Sequence, residues 1–244
     1  MSLINAKDKI IVPIDTSDID NAIATITLLK PYVGMFKFGL ELLNSLIIQM
    51  IISDDISLPQ KVKKLFALVE NQLFWDGKWD DIPNTVGATA KVISPLQPRM
   101  VNVHVSAGID SIKATVENSP NSLVLGVTVL TSISSDECVS IFGQRSQDKV
   151  VEFAKIIKTA GADGVICSPK ELSLLKDFPE LVKVIPGVRP LWAAAGDQKR
   201  IMTPKEALYA GADYLVIGRP ITKPPAEIGS PIDAVHKIIE EMES

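Results

Sequence analysis

The chain has 244 residues, 46 % apolar and 22 % charged, with a formal charge of −4 from 25 basic and 29 acidic side chains. This balance excludes a mainly disordered or collagen-like chain, and the lack of any dense Lys/Arg block argues against a nucleic-acid partner. The mean hydropathy of +0.23 raises the question of a membrane. The most apolar run, residues 40–52, is interrupted by Glu41, Asn44, Ser45 and Gln49 and falls short of the ~20 residues a span needs. It reads as a buried helix.

Taken in chain order, short Val/Ile-rich runs alternate with longer amphipathic segments, the pattern of repeated β-α units around a parallel sheet. Residues 1–9 lack the apolar core of a secretory leader. Strands are expected at 9–15, 34–38, 73–78, 100–104, 122–130, 164–168, 182–186 and 214–218, and helices at 18–31, 40–52, 84–96, 111–117, 147–160, 169–176, 204–210 and 232–242. The near-copies Ala160-Gly161-Ala162-Asp163 and Ala210-Gly211-Ala212-Asp213 mark helix ends turning into strands, with glycine supplying the positive φ of a helix stop. Residues 53–60 read as a polar break, and 189–203 as a loop too long for a routine connection. With no linker dividing the chain, residues 1–244 are expected to form one α/β domain, a (β/α)8 barrel; an open doubly wound sheet would share the strand pattern.

In such a barrel the strand C-termini share one mouth, where active sites of this architecture lie. Charges gather there: Asp15 ends the first strand, Lys37 the second, Asp76 and Lys78 the third, and Asp81 follows just beyond. Residues two apart in a strand point to the same side, so Asp76 and Lys78 are both expected to face the interior. Charges in a low-dielectric mouth are costly unless paired, and pairing holds the ammonium groups positive. One reading is a structural ion-pair network. The other is an anchored ammonium beside a carboxylate, able to stabilise a carbanion and protonate it without a metal or organic cofactor.

Asp76-Gly77-Lys78-Trp79-Asp80-Asp81-Ile82-Pro83-Asn84-Thr85 resembles the D-x-K-x-x-D-I-P-N-T signature of orotidine 5'-phosphate decarboxylases. The resemblance continues in the same order through Lys37, Thr131, Pro186-Gly187-Val188-Arg189-Pro190, Gly196-Asp197-Gln198-Lys199-Arg200 and Gly218-Arg219-Pro220-Ile221-Thr222. It departs at Gly77, where the family has an apolar residue, at Trp79, where it has Phe, and at Asp80, where it has His. The resemblance implies cofactor-free decarboxylation of orotidine 5'-monophosphate in pyrimidine synthesis, with Lys78 protonating C6 and Asp76 beside the departing carboxylate.

It further implies that Lys37, Asp76, Lys78 and Asp81 form a charged tetrad, and that Asp81, Ile82 and Thr85 reach into the partner's site of a homodimer. Asp15 and Lys37 would hold the ribose and Thr131 the pyrimidine. Arg189, Gln198, Gly218 and Arg219 would hold the phosphate, with the long seventh loop closing over the ligand. A Gly-Arg pair after a last strand has its own physical case, since backbone N–H groups and a guanidinium at a helix start suit a phosphate dianion.

The runner-up among enzymes is a related metal-dependent sugar-phosphate barrel, but Lys37 stands where those carry an acidic ligand, and a cation repels Mg2+. A non-catalytic nucleotide-binding module would leave the charged triplet unused. His104 reads as a structural hydrogen-bonding group, and Cys138 and Cys167, without a disulfide partner or metal-ligand spacing, as buried thiols of a cytoplasmic protein.

Overall fold

The structure, a computed structural model, describes residues 5–193 and 202–244. Among them, eight parallel strands pair in sequence order and close into a barrel: β1 (Ile10–Pro13), β2 (Met35–Phe38), β3 (Leu73–Trp79), β4 (Met100–His104), β5 (Leu123–Val127), β6 (Gly164–Ile166), β7 (Val182–Pro186) and β8 (Tyr214–Val216). The helices are α1 (Ile19–Leu29), α2 (Leu40–Ile52), α3 (Leu58–Leu68), α4 (Pro83–Ile93), α5 (Ile109–Glu117), α6 (Ser135–Phe142), α7 (Ser146–Ala160), α8 (Pro204–Tyr209), α9 (Arg219–Thr222) and α10 (Pro231–Glu243). The open doubly wound alternative is thereby excluded.

Period-2 alternation divides each strand between two cores. Ile11, Met35, Phe74, Met100, Leu125, Val184 and Tyr214 pack together inside the barrel. Their neighbours, including Ile10, Val12, Phe36, Val101, Val103 and Ile185, form a second cluster with the helices. Gly161 and Gly211 end α7 and the turn after α8 at φ of +77° and +103°, the left-handed stops read from the repeated Ala-Gly-Ala-Asp segments.

Several boundaries differ from the sequence reading. The first and fifth strands stop at Pro13 and Val127, so Asp15 and Thr131 lie on the loops beyond. The expected polar break at 53–60 is shorter, because α3 begins at Leu58. Its apolar spacing of Leu58, Val62, Leu65 and Phe66 suits one buried face, and Lys61 ties it to Asp20 at the start of α1 across 2.8 Å. Helix α6 was not expected either; the Ser134 hydroxyl accepts the Glu137 N–H while the Glu137 carboxylate accepts the Ser134 N–H, a reciprocal cap. The segment after β6 is a 3-10 helix, Pro169–Leu175.

Helix α2 forms where the apolar run stands, but it is not buried throughout. Leu42, Leu43 and Leu46 dock, whereas Ile47, Ile48, Met50, Ile51 and Ile52 are exposed. Only one stripe of a helix can face its own barrel. Among the described residues, no helix is long and apolar enough to cross a membrane.

Candidate active site

The third strand loses its regularity at the charged segment. Phe74 pairs with Met100 and Trp75 with Val101, but the next paired residue is Trp79, opposite Val103. Asp76, Gly77 and Lys78 therefore stand against the single residue Asn102, an enlarged bulge. Lys78 sits at φ +46°, the left-handed region that non-glycine residues rarely adopt. Its N–H, lost to the regular ladder, donates to Asn102 Oδ1 at 2.7 Å. Asp76 and Lys78 do point to one place, but the bulge brings this about rather than simple alternation along a straight strand.

Asp76 is 3 % exposed and is the hub of the cluster. Lys78 Nζ lies 2.6 Å from Asp76 Oδ1, and Lys37 Nζ lies 2.8 Å from Asp76 Oδ2. Asn102 Nδ2 donates to Asp76 Oδ1 at 2.5 Å. Burial by itself drives a carboxyl upward, but the ammonium groups of Lys37 and Lys78 outweigh it and hold Asp76 below the usual carboxylate value. The carboxylate is thus ionised, buried and fully engaged. Asp15, on the loop after β1, completes the run at 3.6 Å from Lys37 Nζ.

Lys37, Asp76 and Lys78 face a cavity of about 200 Å³ in the barrel mouth. Val127, Val129, Ile166, Val184, Pro186 and Val216 form its apolar wall, with Thr131 at its edge. A second cavity, about 390 Å³, is lined by Asp15, Asn21, Gly218, Arg219 and Lys223. The Asp15–Lys37 contact links the two. One compartment therefore offers apolar walls beside a paired ammonium, and the other a guanidinium at the start of α9 and an ammonium just past its end, an arrangement that suits a planar base carrying an anionic tail.

The remaining expected residues divide. Arg189 is half-buried, and its N–H donates to the Met202 carbonyl at 3.2 Å. Gln198 lies outside the described residues, as does most of the expected closing loop. Asp81, Ile82 and Thr85 are exposed around the start of α4, and the Asp81 carboxylate accepts the N–H of Ile82 at 2.7 Å. Asp81 therefore does not join the cluster of its own chain. Cys138 and Cys167 are both buried, and burial pushes the Cys167 thiol strongly up, leaving it protonated. At His104 burial holds the imidazole below its ordinary value against the opposing pull of Asp80.

Residues 8–229 match the model of the Orotidine 5'-phosphate decarboxylase / HUMPS family. The chain belongs to that family. It is 38 % identical over 252 residues to an orotidine 5'-phosphate decarboxylase of Syntrophomonas wolfei, covering 98 % of this chain and 99 % of the relative. To the enzyme of that name from Moorella thermoacetica it is 37 % identical over 256 residues, with 100 % and 95 % covered. The crystal structure of orotidine 5'-phosphate decarboxylase from Lactobacillus acidophilus superposes with a TM-score of 0.74 at 29 % identity, covering 96 % of this chain and 99 % of that one. The barrel and the order of motifs read from the sequence agree with this membership.

Two of this chain's departures from the family signature are coupled. A Cβ placed on Gly77 would stand 2.5 Å from Trp79 Nε1 and 3.0 Å from Trp75 Nε1, so the larger indole at position 79 occupies the space a side chain at 77 would need. The third departure, Asp80, accepts the Ser106 hydroxyl at 3.1 Å. The sequence reading missed Asn102, which is fully buried. Its signal was available in strand parity, since Asn102 is the inward neighbour of Met100 beside the inward Asp76.

Proposed function

We propose that this chain decarboxylates orotidine 5'-monophosphate to uridine 5'-monophosphate and CO2, in keeping with the name orotidine 5'-phosphate decarboxylase that its relatives carry. The observation that carries this reading is the Lys78 ammonium, held 2.6 Å from a buried, ionised Asp76 at the edge of an apolar-walled cavity. The C6–carboxylate bond breaks, its electron pair stays on C6, and CO2 leaves toward the apolar side. The Lys78 ammonium stabilises the developing charge and gives its proton to C6; water then reprotonates the amine.

The other residues divide the nucleotide among them. Lys37 and Asp15 hold the ribose hydroxyls at the junction of the two cavities, and Thr131 contacts the pyrimidine. Gly218, Arg219, Arg189 and Gln198 grip the phosphate, whose binding energy helps to position the distant reacting carbon. Exposed Asp81, Ile82 and Thr85 are contributed to the site of a second copy in a homodimer, where Asp81 becomes the fourth member of the tetrad. Residues 1–244 act as one catalytic domain in the cytoplasm.

The purified protein is expected to bleach the orotate chromophore of orotidine 5'-monophosphate. Lys78→Ala is expected to lower kcat by about 10³-fold or more while still binding uridine 5'-monophosphate. Undiminished turnover by a metal-free Lys78→Ala preparation would refute the assigned role.

A further inference from the structure

The proton donor sits on a backbone that does not hold itself in place. Lys78 is in the left-handed region at φ +46°, inside a stretch where three residues of β3 oppose one of β4. Neither feature is favoured by the side chain of a lysine. One residue meets both ends of this unit. Asn102 accepts the Lys78 N–H through Oδ1 at 2.7 Å and donates through Nδ2 to Asp76 Oδ1 at 2.5 Å. The amide has a single workable orientation, because a backbone N–H demands an acceptor and an ionised carboxylate demands a donor. At 0 % exposure no water replaces either bond without a cavity being opened.

We propose that Asn102 is a positioning residue for the Lys78 ammonium. It clamps the main chain from which the ammonium is carried and the carboxylate to which the ammonium is paired, so that Nζ is held toward the cavity with little freedom. The inference rests on the reading of Lys78 as proton donor. Aspartate at this position has the same shape but only one useful state. Ionised, it places a second carboxylate against Asp76 and loses the donor; protonated, its hydroxyl donates to Asp76 and its carbonyl accepts the Lys78 N–H. The groups whose charge acts on it are Asp76 and Lys78 on β3, Lys37 on β2, and His104 with Asp80 at the strand ends.

The test measures kcat, KM and their pH dependence for Asn102→Ala and Asn102→Asp, with uridine 5'-monophosphate affinity and the Lys78 side-chain NMR resonance, assigned through Lys78→Arg, as parallel readouts. Asn102→Ala is expected to lose about 10- to 100-fold in kcat with KM changed less than about threefold, and its Lys78 resonance is expected to move or broaden. Asn102→Asp is expected to recover relative to the parent as the pH falls, a trend that mere loosening of the fold does not produce. Should Asn102→Ala fail to fold, the isosteric Asn102→Asp carries the test. Parental kcat and pH profile in both variants, or an unchanged Lys78 resonance, would overturn the assignment. Lack of turnover in the parent chain would refute the decarboxylase reading, while the Lys78 resonance would still decide the role of Asn102.

Discussion

Inside one barrel, two adjacent layers built on the same inward positions behave in opposite ways. In the lower layer Met35, Phe74 and Met100 on β2, β3 and β4 join Ile11, Leu125, Val184 and Tyr214 in an apolar core. One inward step further along those three strands stand Lys37, Asp76 and Asn102, joined by direct hydrogen bonds and ion pairs. The lower layer keeps regular register; the upper begins where β3 slips against β4. The lower layer supplies stability by removing apolar surface from water. The upper is costly to bury, and it presents an ammonium to the cavity.

The largest contrast should come from replacing the upper cluster outright. Lys37→Met/Asp76→Leu/Lys78→Met, which removes all three charges together, is expected to abolish measurable decarboxylation, more than about 10⁴-fold, while stability changes little, the relief of buried charge being offset by an Asn102 Nδ2 donor left without its acceptor. Buried ion pairs replaced together by apolar residues of similar volume are often neutral or stabilising. A large loss of stability would show that the cluster supports the fold. Removing only the Asp76 charge does not make this comparison, because it leaves two ammonium groups without their partner.

In the lower layer the effect should appear in the other measurement. Met100→Ala is expected to cost about 2–5 kcal/mol in denaturant unfolding through lost transfer energy and a residual cavity, with kcat at 25 °C within about threefold of the parent. A fall in kcat matching that of the Asn102 variants would mean that the two layers are mechanically one.

A smaller effect tests the claim that partners, rather than depth, decide the state of a buried acid here. Asp76 and Glu171 are both buried, at 3 % and 8 % exposure. Asp76 is held below its usual value by two ammonium groups, whereas Glu171, where burial is opposed mainly by the N–H of Ser168, is pushed up to about 7. The raised value means that the folded state takes up a proton the unfolded chain gives away between about pH 4.5 and 7. Stability attached to this group is therefore complete below pH 4.5, falls as the pH rises to 7, and is flat above it, the whole change being at most about 3 kcal/mol. Glu171→Gln keeps an acceptor for the Ser168 cap and is expected to raise the melting temperature at pH 8 by several degrees, with little change at pH 4.5. Equal shifts at both pH values would contradict the assigned cause.

Alternation of β and α segments reveals itself through hydrophobic period, a local property, and so the eight strands and most helices were legible in the sequence. The exceptions have local causes as well. The polar start of α3 disguised its apolar stripe, and α6 is short, with only Cys138 buried among its residues. At the site, the Asp76-Gly77-Lys78 spacing was enough to identify the charged pair, and the longer run from Asp76 to Thr85 carried the family resemblance. Straight-strand alternation then gave the correct meeting point for an incomplete reason, since it contains no left-handed Lys78. Asn102 carries no motif at all; a lone asparagine in a strand becomes informative only when its inward neighbours are known.

What the sequence by itself determined was the identity and order of the groups: which strands exist, which inward positions are apolar, and which carry charge. These follow from side-chain chemistry and from periods of two and 3.6 residues, which the chain displays along its own length. Tertiary structure decided what no local period encodes. It set the slip of β3 against β4, placed Asn102 between a backbone N–H and a carboxylate, made room for the Trp79 indole over Gly77, and lowered the Asp76 carboxyl while raising that of Glu171. Each of these depends on which distant group lies within a few ångströms once the barrel has closed, because hydrogen bonds and desolvation act over that distance and take no account of separation along the chain.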